Sequence, residues 1–166
     1  MLSKISEKFL LLVIVFLIAC NHGIAPTDAP DEPQNPGGIS GQIYYQNWPP
    51  AEEVKNLKVI VFVEYPPDDI FNEVQSGRAI VYPSELSVSL PQFVDSSYYE
   101  VQLEPGIYEY VVVAQQYGGL LDWRAVGHYT TTNSDSVPSP VVVLSDSILP
   151  DIDIYVDFNN LPIQPF

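Results

Sequence analysis

The chain has 166 residues, 46% of them hydrophobic, and its 6 Lys and Arg stand against 21 Asp and Glu for a formal charge of −15. Such an excess of carboxylates repels phosphate backbones and excludes nucleic acid as a partner. A single cysteine excludes any disulfide within the chain, so the fold must stand on its core alone.

The first element is a basic start, Lys4 and Lys8, followed by the 11 uncharged residues 9–19 and then Cys20. A membrane-spanning helix needs roughly 20 apolar residues, so this run reads as a secretory signal and not as a span. Leu17-Ile18-Ala19-Cys20 resembles the lipobox of bacterial lipoprotein signals. The resemblance implies diacylglycerol on the Cys20 sulfur and cleavage that removes residues 1–19. An ordinary signal peptide with Cys20 beside its cut is the alternative. Loss of residues 1–19, which hold Lys4, Lys8 and Glu7, leaves −16 on the mature chain. Two acyl chains, at ~0.8 kcal/mol per buried methylene, anchor stably where one is marginal.

Residues 20–38 are rich in Pro, Gly and acids, with little to bury. They read as a flexible tether, extending by up to ~3.1 Å per residue where polyproline-like. His22 belongs to it as linker and not as ligand. Residues 39–160 have the length of one domain, and residues 161–166 form a tail.

Within the domain, tyrosine, valine and isoleucine abound, and no stretch repeats apolar residues with helical period. Strands are expected at residues 39–46, 56–65, 78–82, 87–90, 98–103, 107–116, 122–130, 141–144 and 152–158. A brief helix is expected at 68–75, capped by Asp68 and stopped by Gly77. Residues 57–63 and 107–114 are apolar on both faces and read as central strands. From 151 to 158 the chain alternates, with Asp151, Asp153, Tyr155 and Asp157 on the wet face. The expected fold is all-β: a single antiparallel Greek-key sandwich of about seven to nine strands, burying Val59, Val61, Tyr108, Tyr110, Val112, Ile152 and Ile154.

Ile39-Ser-Gly-Gln-Ile43 and Leu103-Glu-Pro-Gly-Ile-Tyr-Glu-Tyr-Val-Val112 resemble two strands of carboxypeptidase-regulatory-like domains. That resemblance implies a sandwich of transthyretin-like (prealbumin-like) topology. Independently of it, Pro105-Gly106 reads as a tight turn with Gly106 at positive φ. Tyr108 is placed like a corner tyrosine whose hydroxyl bonds nearby backbone.

No nucleophile elbow, His-Glu-x-x-His motif or phosphate loop is present. The domain's one histidine, His128, shares a strand face with Arg124 and Asp122, as a polar stripe or as a binding site. Asp151, Asp153 and Asp157 are weak calcium candidates, since same-face carboxylates on a strand lie nearly ~7 Å apart. Charges that discourage edge pairing are the other reading. Trp48, Tyr117 and Trp123 sit in or beside loops, where rings stack on sugars, anchor a protein partner, or plug the ends of the sandwich. The expectation is a non-enzymatic cell-envelope module without a cofactor, held to a membrane by its lipid and serving an envelope protein; a carbohydrate-binding module meeting a polysaccharide is the alternative.

Overall fold

A computed structural model describes residues 35–68, 70–132 and 137–165, so Cys20 and His22 lie outside the described residues. The strands are β1 (Gly37–Gln46), β2 (Asn56–Phe62), β3 (Ala79–Tyr82), β4 (Ser96–Leu103), β5 (Gly106–Tyr108), β6 (Tyr110–Gln116), β7 (Trp123–His128), β8 (Val141–Val143), β9 (Ile148–Leu149) and β10 (Ile154–Asp157). A short helix, α1 (Ile70–Gln75), follows β2 and gives way to a turn at Gly77, whose φ of +76° suits glycine.

One sheet has the order β10-β1-β4, with β9 beside the start of β1. The other has the order β3-β2-β6-β7, and β5 pairs with β8. The two four-stranded sheets share one core, where Ile39, Ile43, Tyr99 and Ile154 meet Val59, Val61, Val111 and Val113. A second cluster covers the opposite face of β2 and β6, with Ile60, Phe62, Tyr110 and Val112 packed under Tyr65, Ile70 and Trp123. Apolar residues on both faces of these strands therefore each find a core, and β2 is buried along its whole length. The protein is an all-β sandwich, and the seven residues expected to be buried are buried.

The pairing is mixed where a purely antiparallel sandwich was expected: β1 runs parallel to both β9 and β10. A parallel pair needs a long crossover, and here the rest of the sandwich is the crossover. The strand count of ten among the described residues exceeds seven to nine partly because residues 107–116 divide at Glu109. β5 pairs with β8 while β6 pairs with β2, so the chain changes partner at that residue.

Residues 87–90 make no strand. They lie beside β2 where β3 stops, with Leu90 N donating to Leu57 O at 3.0 Å and Leu57 N donating to the Ser89 hydroxyl at 3.0 Å. Lys58, only 1% exposed, holds this segment by donating from Nζ to Pro83 O and Glu85 O, each at 2.7 Å, and to Val88 O. Carbonyls taken by a lysine do not build a ladder.

The domain also begins earlier than residue 39, since Gly37 and Gly38 pair with Leu103 and Gln102. In the expected tail, Leu161 packs on the core. The Gln164 amide accepts from Ala125 N at 2.8 Å and donates to Ala125 O at 3.0 Å. At the corner, the Tyr108 hydroxyl donates to Glu104 O at 3.0 Å, as expected. Gly106 is a correction: its φ is not positive, because pairing with Val143 demands extended backbone. Among the described residues no helix is long and apolar enough to cross a membrane.

Candidate functional site

The parallel pairing of β1 with β10 sets Ile43 beside Ile154, Tyr44 beside Tyr155 and Tyr45 beside Val156. Alternation then sends Ile43, Tyr45, Ile154 and Val156 into the core and leaves Tyr44 and Tyr155 outside, 36% and 69% exposed. Their rings stack with centroids 5.0 Å apart and planes 16° from parallel. Two glycines allow the close approach that places this strand. A Cβ at Gly41 would sit 2.2 Å from Ile152 O, and one at Gly127 of β7 would sit 2.5 Å from Tyr155 O.

Where β1, β10 and the end of β7 meet lies an open groove of about 540 Å³. The tyrosine pair lines it together with Asp153, Asp157, Gln46 and Asn160, and with His128 and residues 130–132 from β7 and the segment after it. Asp153 Oδ1 accepts from Gln42 N at 2.8 Å. Asp157 Oδ1 accepts from Asn47 Nδ2 at 2.8 Å and from Asn159 N at 2.9 Å. The Asn47 amide, then the Asn159 N–H, holds the Asp157 pKa below its ordinary value. Among the described residues neither carboxylate accepts a hydrogen bond on Oδ2. Beneath the site, the buried Tyr99 hydroxyl donates to Ile152 O at 2.6 Å, and burial, then Asp153, pushes its pKa up.

Of the residues singled out from the sequence, His128, Asp153 and Asp157 come together at the groove and the others do not. Trp48 is a plug: its ring packs on Tyr45, Phe93 and Phe158 at 4.8, 5.0 and 4.7 Å, and its Nε1 donates to Val94 O at 3.0 Å. Trp123 packs on the second core cluster and donates from Nε1 to Leu120 O at 2.8 Å. Tyr117 is exposed near the tip of the β6–β7 hairpin, with the Arg124 guanidinium 5.1 Å from its ring centre. His128 alone of these four lines the groove. Of the calcium candidates, Asp153 and Asp157 line it and Asp151, at φ 63°, does not. Among the described residues no three His, Cys, Asp or Glu side chains come together as metal ligands.

Sequence reasoning placed Tyr155 on the wet face but passed over Tyr44, because their pairing joins residues 111 positions apart. The one local signal was the alternation through Ile43, Tyr44 and Tyr45, which turns Tyr44 outward.

No protein-family model matches the chain, and no curated protein matches it. Among solved structures it is similar to a leucine-rich repeat protein from Bacteroides thetaiotaomicron, with 9% identity and a TM-score of 0.37. The likeness covers 76% of this chain, which spans 14% of that protein.

Proposed function

We propose that this chain is a cell-envelope lipoprotein, lipidated at Cys20, whose sandwich serves as a non-catalytic binding module. One observation carries the anchoring: Leu17-Ile18-Ala19-Cys20 closes a run of 11 uncharged residues behind two lysines. The binding role is supported by the groove, since concave sites with a few convergent polar groups are where proteins take ligands. The domain is of the carboxypeptidase-regulatory-like, transthyretin-like kind. Supporting that assignment are Ile39-Ser-Gly-Gln-Ile43, which lies in β1, and the stretch from Leu103 to Val112, which carries the Pro105-Gly106 turn and β5. In a bacterial host fed labelled palmitate, the wild type incorporates label and partitions with membranes, whereas Cys20→Ala stays an unlabelled, uncut precursor. Identical processing and soluble release of both forms would remove the anchor from the proposal.

A further inference from the structure

Tyr155 is 69% exposed on an edge strand and lies stacked against Tyr44, so the pair contributes ring surface where the core gains little. Contiguous exposed aromatic surface on a rigid sheet marks a contact site. We propose that the groove beside it binds an uncharged, hydroxyl-rich saccharide, an assignment that rests on the reading of the sandwich as a binding module.

Three features select that class. A pyranose presents C–H bonds on its faces and hydroxyls around its rim. Each stacked phenol ring keeps only its outer face for the first, chiefly that of the more exposed Tyr155, and neighbouring strands hold the pair in fixed register. For the rim, the Oδ2 atoms of Asp153 and Asp157 are acceptors to which no described residue donates. The Gln46 and Asn160 amides add donors as well as acceptors. Hydroxyls donate and accept at once and match such a mixed lining.

Charge narrows the choice further. Among the described residues no Lys or Arg lines the groove, and the Asp153 and Asp157 side chains in it would repel a uronate, sulfate or phosphate. A cation is the other ligand that carboxylates and rings attract, but a cation cage turns several ring faces onto one point. Here the two planes lie 16° apart and face each other, so each ring takes up one face of its partner and no cage forms. The volume of about 540 Å³ lies within the range of roughly 300–1,000 Å³ typical of small-ligand sites.

The test uses the full chain extracted in mild detergent and run by affinity electrophoresis through gels containing glucan, mannan, galactan or xylan. Gels with polygalacturonate and a run with oligolysine as competitor serve as comparisons. Retardation by at least one neutral polysaccharide is expected, with none by polygalacturonate. Tyr155→Ala should weaken it roughly tenfold or more, the scale of one lost aromatic contact, at an unchanged melting temperature. Tyr155→Phe, which keeps the ring, should retain affinity within about threefold. Equal retardation of wild type and Tyr155→Ala would place saccharide binding elsewhere and overturn the assignment. Binding of oligolysine alone, lost in Tyr155→Ala, would overturn the saccharide class while leaving the binding module standing. No binding of neutral, acidic or basic polymer by folded protein would overturn the groove's role altogether, leaving only the anchor.

Discussion

Replacing Lys58 with methionine keeps the aliphatic stem and deletes the ammonium that three backbone carbonyls share. Net hydrogen bonds to charged groups are worth about 1.5–3 kcal/mol each, so three sum to roughly 5–9 kcal/mol as an upper bound. Two effects reduce it. Burial lowers the Lys58 pKa, with Glu85 opposing, so the ammonium already carries a desolvation cost that methionine lacks. In addition, Glu85 and Val88 are exposed, and their carbonyls regain water once the segment loosens. The expected net loss is about 2–4 kcal/mol, equivalent to a fall in melting temperature of roughly 5–15 °C. Urea unfolding measures it as a lower midpoint at constant slope. Hydrogen exchange localises it, since the Leu90 amide, bonded to Leu57 O, should lose more protection than the β2–β6 ladder, whose amides follow only the global loss. A Lys58→Met protein within about 0.5 kcal/mol of wild type, with Leu90 equally protected, would refute the pin.

At the corner, Tyr108→Phe should cost about 1 kcal/mol for its bond to Glu104 O, and Tyr108→Ala about 3–5 kcal/mol for the lost ring; denaturation midpoints decide both. Asn47→Ala should raise the Asp157 pKa toward the ordinary carboxylate value, read from carboxyl carbon shifts in an NMR titration. Because that pKa is depressed in the folded state, the stability it supplies is present above the unfolded value near ~4 and disappears as pH falls through the folded one. Asn47→Ala should therefore differ from wild type at neutral pH and converge with it in acid. An Asp157 pKa indifferent to residue 47 would contradict the bond between them.

Much of this architecture is legible from local pattern. Apolar residues on both faces of 57–63 and 110–114 foretold strands covered on both sides, residues 107–109 proved a separate and more exposed stretch, and alternation in 151–158 foretold one wet face. The Tyr108 bond spans four residues and was within reach of a sequence argument. What escaped was set at long range. The fate of residues 87–90 depends on Lys58, a charge inside an apolar strand whose carbonyl partners lie 25 to 30 residues further along the chain. That Trp48 plugs an end of the sandwich was one of its sequence readings, but its cover by Phe158, far along the chain, was not. The groove itself exists only because a parallel pairing joins Tyr44 to Tyr155, and no local period encodes such a pairing.

The Gln164 amide has the same donor and acceptor as a peptide unit, and it meets Ala125 on both atoms. A single side chain thus does at the rim of β7 what a neighbouring strand would do, and occupies the place where a foreign chain would start to zip. At high local concentration, bare rims template filaments. Here an incoming segment must first displace a bidentate partner held by its own chain, so growth from that rim begins with a loss.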